Sequence, residues 1–397
     1  MTSSAPNPHN SALGSLTAIV LAGGASSRMG RLKPLLPLAG VPALERSIAL
    51  FREAGIDDVR VVLGNRAEEL RPLAERCGAR TVDNQHWREG MYSSVIAGAR
   101  ALPAATRGVF ILPADVPLVR PATLRQLADA FLAQPDAIVY PVFDYRRGHP
   151  PLMARTILDQ AAHGAAGPLC NLLAAHETQA IDIPVADEAI HLDMDTPADF
   201  NRMQALAARR DIPTSAECEA LLALQRVPDN GIRHARKVAQ LAGAIADVLA
   251  ATGLVIDPER TRAGALLHDI ARAQPNHAEA GAAMLRAFGM SAVADIVAAH
   301  MTIDFAGAID ERAIVYLADK LVSGDRRVTL EERFAAAQLR FRDQPEALAA
   351  AQQRRAVAER IAHAVATKLG VPLLAILPTD PPQQENRAAE IPAEVGR

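Results

Sequence analysis

Between Leu16 and about Asp193 short apolar runs alternate with stretches of helical periodicity, and after about Cys218 the alternation stops. The runs Thr17–Ala22, Val59–Gly64, Val109–Leu112, Ala137–Val142 and His191–Met194 are too short for helices, so they read as strands of βαβ units around a mostly parallel sheet. From Cys218 to Gly370 the Ala and Leu spacing is helical, with no strand expected. A chain of 397 residues exceeds the size at which one core keeps growing, which also favours two domains. Thr196-Pro197-Ala198-Asp199 has the form of a helix start, with Thr as N-cap and an acid three residues on, and this helix would close the first domain near Leu206. The expected order is an α/β domain over 15–206, a polar linker over 207–217, an all-α domain over 218–372 and a disordered Pro- and Gln-containing tail over 375–397.

Directly after the first expected strand comes Leu21-Ala22-Gly23-Gly24-Ala25-Ser26-Ser27-Arg28-Met29-Gly30, with Lys33 close behind. Glycines let the backbone approach a phosphate, while Arg28 and Lys33 can neutralise a triphosphate. The spacing fits neither GxxxxGK[ST] nor GxGxxG, so a P-loop and a dinucleotide fold are disfavoured. Taken alone, the motif also suits a tight strand-to-helix turn with two solvated cations. Asp115 follows the strand Val109–Leu112 between two prolines, at the sheet edge where ligands of open α/β sheets gather. Such a carboxylate suits Mg²⁺ bound together with substrate phosphates. Asp195 is a second acid of this kind, with helix capping as its alternative role.

These residues carry a resemblance. The segment Leu21–Gly30 with Lys33, the segment Pro113–Leu118 and the segment Asp193–Pro197 resemble the molybdenum-cofactor nucleotidyltransferases, the cytidylyltransferase branch above all, over roughly Thr17 to Ala205. Glu89–Val95, with Gly90, Ser93 and Ser94, resembles the family's nucleotide loop, and Gly148-His149-Pro150 its acceptor-side loop. The resemblance implies a Rossmann-like nucleotidyltransferase sheet with helices on both faces. It implies a nucleotide site of Leu21, Ala22, Gly23, Gly24, Arg28, Lys33, Gly90, Ser93, Ser94 and Asp115. It further implies that a terminal phosphate of the molybdenum cofactor attacks the α-phosphorus of CTP, helped by Arg28, Lys33 and Mg²⁺ on Asp115 and Asp195. A different NTP and another phosphorylated acceptor are the alternative. A molybdenum hydroxylase apoenzyme is a further expected partner, because such a cofactor is too labile to diffuse freely.

In the helical half, His234, His268-Asp269, His277, His300 and Asp319 all fall within apolar-periodic segments. His234 shares a face with Val238, Leu241 and Ile245, His277 with Gly281, Met284 and Phe288, and Asp319 lies between Val315 and Val322, so these side chains are expected to point inward. A lone histidine on an apolar face is usually a hydrogen-bonded core residue. Four histidines and two aspartates would each cost about 1–3 kcal/mol if buried without partners, whereas divalent metal satisfies them together. Imidazole with carboxylate suits Fe, Mn or Zn. The pattern His234, His268-Asp269, Asp319 resembles the HD-domain phosphohydrolases over roughly Ile232 to Arg326. With His277 and His300 it resembles their binuclear subgroup, which implies that Asp269 bridges two metals and takes part in hydrolysis of a phosphate ester or anhydride. A metal or nucleotide sensor is the alternative.

The net charge of −3 predicts no affinity for nucleic acid or anionic membrane. Cys77, Cys170 and Cys218 are far apart, so neither a disulfide framework nor a thiolate zinc site is expected. Met1–Ser15 lacks the pattern of a signal peptide, no apolar run is long enough to span a bilayer, and a cytoplasmic location is expected.

Overall fold

The structure is a computed structural model and describes residues 12–24, 31–163 and 168–379. Arg28 and the tail from residue 380 onward lie outside the described residues. Two compact units divide the chain: one holds the residues up to Val227 together with Leu267–Ala298, the other Pro228–Leu266 together with the chain from Ala299.

The first unit is built on an eight-stranded sheet. Its strands are β1 (Leu16–Ala22), β2 (Asp58–Leu63), β3 (Arg80–Asp83), β4 (Gly108–Pro113), β5 (Ile138–Phe143), β6 (Arg146–Arg147), β7 (Leu152–Ala154) and β8 (Ala180–Pro184). Their order is β8-β5-β7-β4-β1-β2-β3, with β6 paired to β5. β1 is parallel to both β2 and β4, with Ile19 opposite Arg60 and Ile111, and every one of its seven residues is buried. That follows from its sequence: a central parallel strand is covered on both faces and reads as a continuous apolar run. β7 runs antiparallel to β4 and to β5, so the sheet is mixed.

Helices cover both faces. Phe51 on the helix Ala43–Glu53 meets Phe110 of β4, ring centroids 5.6 Å apart. Ile111, the next residue and so on the other face, lies beside Ile19, which the helix Met91–Arg100 approaches through Gly98. The expected α/β sheet with helices on both faces is therefore present.

Three local expectations differ. The segment His191–Met194 is not a strand: Glu188–His191 forms a 3-10 turn capped by the Asp187 side chain, and Met194 N donates to Asp115 O at 3.1 Å. One edge of the sheet is instead formed by β8, while β7 lies inside the sheet between β5 and β4; both are short and neither was singled out in the sequence. In the segment read as a polar linker, Glu217 is fully buried on the helix Ser215–Leu224, bonded by Arg120 at 2.9 Å and by Arg210 at 2.8 Å. Burial would raise the Glu217 pKa, but the two guanidiniums outweigh it and hold the carboxyl below the usual glutamate range. Its charge is thus a buried partner and not a solvated surface group.

The second unit is helical, as expected, around Asp229–Ala251, Glu311–Lys320 and Pro345–Leu369. A two-residue hairpin, Val322–Ser323 with Arg326–Arg327, interrupts the helical pattern where no strand was expected. The chain is still held at Leu377 and Pro378, whose carbonyls accept from Arg327.

Candidate functional site

The C-terminal ends of β1 and β4 create one edge of the sheet. Leu21, Ala22, Gly23 and Gly24 leave β1 there, and Pro113, Ala114 and Asp115 leave β4. Together with Lys33, Gly90 and Ser94 they line one cavity of about 570 Å³. Gly64 shows why small residues are needed at this edge. A Cβ there would lie 2.6 Å from the Cβ of Trp87 and 2.9 Å from the Gly23 carbonyl, so a side chain would push the turn after β1 away from the neighbouring strand. Gly90, with φ of 98°, turns the chain into the helix Met91–Arg100 in a conformation that other residues rarely adopt.

Lys33 is the centre of charge in the cavity. Its Nζ donates to Asp195 Oδ1 at 2.7 Å and to Asp115 Oδ2 at 3.2 Å. Asp195 comes beside Asp115 because the Met194 N–H is bonded to the Asp115 carbonyl. It precedes Thr196, which caps the helix Pro197–Ala208 in a capping box with Asp199. Asp199 and Thr196 therefore do the capping, and the Asp195 carboxylate faces Lys33. Two carboxylates converging on one ammonium form a donor set that suits an oxygen-liganded divalent ion.

Burial works against the Lys33 ammonium, but Asp195 and Asp115 outweigh it and raise its pKa above 10.5. A folded-state pKa above the unfolded one gives stability that is fully present below about pH 10.5 and lost as the pH rises through the folded value. The difference in urea midpoint between the wild type and Lys33→Met should therefore stay constant through mildly alkaline pH and shrink only above about 10.5. A difference that collapses well before then would contradict the paired ammonium.

Ser93 does not line the cavity. Its hydroxyl lies 2.8 Å from the carbonyls of both His86 and Gly90, which share its one hydrogen, and accepts from Asn84 Nδ2, while Asn84 also donates to Ser94. Both serines thus fasten the loop. Met91, inside the expected nucleotide loop, also lines the cavity, and sequence reasoning missed Trp87 and Arg88 just before that loop. Only their place beside Gly90 could have marked them.

The helical-half residues fall in both units. In the first, His268 is buried, with Nε2 3.5 Å from Asp269 Oδ2; His277 Nε2 lies 3.4 Å from Asp269 Oδ1, and Arg272 donates to Oδ2 at 2.6 Å. His277 follows the left-handed Asn276, begins the helix His277–Ala287 and is half-buried, its side chain 23% exposed. In the second unit, buried His234 donates through Nδ1 to Gly324 O at 2.8 Å and places Nε2 3.2 Å from Asp319 Oδ1. His300 is buried, and Lys320, bonded to Asp319 at 2.8 Å, also donates to the His300 carbonyl at 2.7 Å. In each unit imidazole nitrogens stand against carboxylate oxygens, a set suited to Fe, Mn or Zn. Among the described residues no helix is long and apolar enough to cross a membrane.

Comparison with known proteins agrees with both halves. Over 111 residues the chain is 42% identical to a molybdenum cofactor guanylyltransferase of Xanthomonas euvesicatoria, covering 28% of this chain and 52% of that protein. Over 120 residues it is 36% identical to the bifunctional protein GlmU of Geobacter metallireducens, covering 30% of this chain and 25% of that protein. Among solved structures, Rv0371c from Mycobacterium tuberculosis H37Rv is 27% identical, with 49% of this chain and 99% of that chain covered and a TM-score of 0.43. The chain thus spans between a quarter and about half of the length of these two curated relatives. Residues 18–180 match the family model for the MobA-like NTP transferase domain, and residues 231–324 match the HD domain. The chain therefore carries a MobA-like NTP transferase domain followed by an HD domain, a member of the phosphohydrolase superfamily.

Proposed function

We propose that the N-terminal domain transfers CMP from CTP to the molybdenum cofactor and releases pyrophosphate, and that the HD domain hydrolyses a nucleotide or phosphate ester. The observation that carries the first part is Lys33, held between Asp115 and Asp195, in the lining of the cavity with Gly23, Gly24 and Gly90. In the transfer a terminal phosphate oxygen of the acceptor forms a bond to the α-phosphorus. The bond from that phosphorus to the bridging oxygen breaks, and its electron pair leaves with pyrophosphate. No side-chain nucleophile is required, so positioning and charge neutralisation supply most of the acceleration. The Gly23-Gly24 backbone admits the phosphates, Lys33 and Arg28 would neutralise them, and Asp115 and Asp195 would hold Mg²⁺. Bound there, Mg²⁺ supplies charge stabilisation for the leaving pyrophosphate.

In the HD domain, His234, His268, Asp269, His277, His300 and Asp319 are the proposed ligands of one or two divalent ions, Fe, Mn or Zn. Such ions supply Lewis acidity toward the phosphoryl oxygen and the attacking water. Support comes from the family match, which spans all six residues, and from the imidazole–carboxylate pairs within each unit.

Pyrophosphate release from CTP, GTP and ATP, with molybdenum cofactor and Mg²⁺ supplied, should show preference for CTP. The relative named as a guanylyltransferase makes GTP the main competitor, and preference for GTP would replace the cytidylyl assignment. That the chain also resembles a relative not named as a molybdenum cofactor transferase leaves room for a second reading, another phosphorylated acceptor. Release that needs such an acceptor and ignores molybdenum cofactor would establish it. A metal-loaded HD domain that binds but does not hydrolyse a panel of nucleotides and phosphomonoesters would be a sensor.

A further inference from the structure

Two cations line the nucleotide cavity among the described residues, Lys33 and Arg88, and they are not equivalent. Lys33 is already shared by two carboxylates. Arg88 is exposed, and among the described residues neither a carboxylate nor a carbonyl accepts a hydrogen bond from it. Its guanidinium rests over the Trp87 ring, 4.4 Å from the centroid. Trp87 is itself fixed, because its Cβ packs against Gly64 beside the turn that follows β1.

Binding a nucleoside triphosphate brings about four negative charges into this space at neutral pH, more than one divalent ion, Arg28 and an already compensated lysine can offset together. A guanidinium is well suited to the remaining charge. It is always protonated, it presents paired donors that match phosphate oxygens, and an exposed cation–π contact holds it by only about 0.5–1 kcal/mol. Stacking on the indole restricts Arg88 to the cavity wall without engaging its donors, so its release costs little.

We propose that Arg88 is a phosphate-positioning residue that leaves Trp87 and binds the polyphosphate of the donor nucleotide. The assignment rests on the nucleotidyltransferase reading of the N-terminal domain. It places a contact to the donor in the short turn Trp87–Glu89, beside Gly90, and makes that turn responsive to the number of phosphates on the nucleotide.

Trp87 is the chain's single tryptophan, so its fluorescence reports on the departure of Arg88 directly in the full-length protein. CTP with Mg²⁺ should change the emission of the wild type, whereas CMP should not, and Arg88→Ala should remove the triphosphate-dependent change. In steady-state assays Arg88→Ala should lower kcat/KM for CTP by on the order of 10- to 100-fold while inhibition by CMP stays within about twofold. Arg88→Lys, which keeps the charge and loses the fork, should recover part of the loss. Equal weakening of CMP and CTP would put Arg88 on the base or ribose and overturn the proposal, as would an unchanged kcat/KM. Wild-type protein that releases pyrophosphate from no nucleoside triphosphate would instead defeat the transferase reading itself, before any variant is made.

Discussion

Asp115→Asn should lower kcat for pyrophosphate release by about 10²- to 10³-fold with the fold intact, an effect of roughly 3–4 kcal/mol on the barrier. The substitution keeps the size of the side chain and removes one negative charge. The Asp115 carbonyl still accepts from Met194, so the segment that presents Asp195 stays in place, and Lys33 keeps its 2.7 Å bond to Asp195. The Asp115 side chain is 27% exposed, so no core is disturbed. What is lost is half of the carboxylate pair facing Lys33 and the proposed Mg²⁺. The expected signature is a fall in kcat with a higher Mg²⁺ requirement and an unchanged thermal midpoint. A variant with wild-type kcat at saturating Mg²⁺ would remove Asp115 from the mechanism. A variant that loses activity together with its thermal midpoint would show a structural role instead.

The parts of the fold that were legible in sequence are those where one physical demand dominates. β1 and β4 are covered on both faces, so they must be continuous apolar runs, and the small residues and acids after them stand out because ligands of open α/β sheets gather at that edge. Edge elements obey weaker demands. β8 reads Ala-Ile-Asp-Ile-Pro, with every residue at least partly exposed, and β3 reads Arg-Thr-Val-Asp; neither produces a run that stands out from a loop. His191–Met194 has a strand-like mixture, yet the Met194 amide is taken by the Asp115 carbonyl and its side chain by a small core beside the sheet, with Leu38 and Met203. A long-range partner decided the outcome, and no local pattern encodes it.

The same distinction separates the site residues. Lys33, Asp115 and Asp195 could be nominated because their residue types and positions imply phosphate and metal chemistry. Ser93 has the right type, but its hydroxyl is consumed by the His86 and Gly90 carbonyls, which only the folded loop reveals. Arg88 is an ordinary exposed arginine until the fold makes it line the same cavity as Lys33. Glu217 shows the converse. A segment read as a polar linker suggests solvent, while buried Arg120 and half-buried Arg210 turn the glutamate into an internal counter-ion.

Asp269→Ala should strip the proposed HD-domain metals and abolish phosphate-ester hydrolysis, lowering it by about 10³-fold or more, while transferase kcat remains at its wild-type value. The reasoning starts from how the carboxylate is used. Oδ2 stands 3.5 Å from His268 and accepts from Arg272, while Oδ1 faces His277 at 3.4 Å, so both oxygens are directed at imidazoles. A carboxylate engaged through both oxygens fits the bridging role that the resemblance to binuclear HD-domain enzymes implies. Its removal should therefore cost more metal than loss of a terminal ligand. Metal content measured per chain after purification without chelator should fall to near zero in Asp269→Ala and to an intermediate value in Asp319→Ala. The wild type should also gain about 2.7 kcal/mol of stability at a metal concentration 100 times Kd, a gain that Asp269→Ala should lack. Full metal content in Asp269→Ala would exclude it as a ligand. Equal losses in the two variants would exclude the bridge, because only a shared ligand makes the two substitutions unequal.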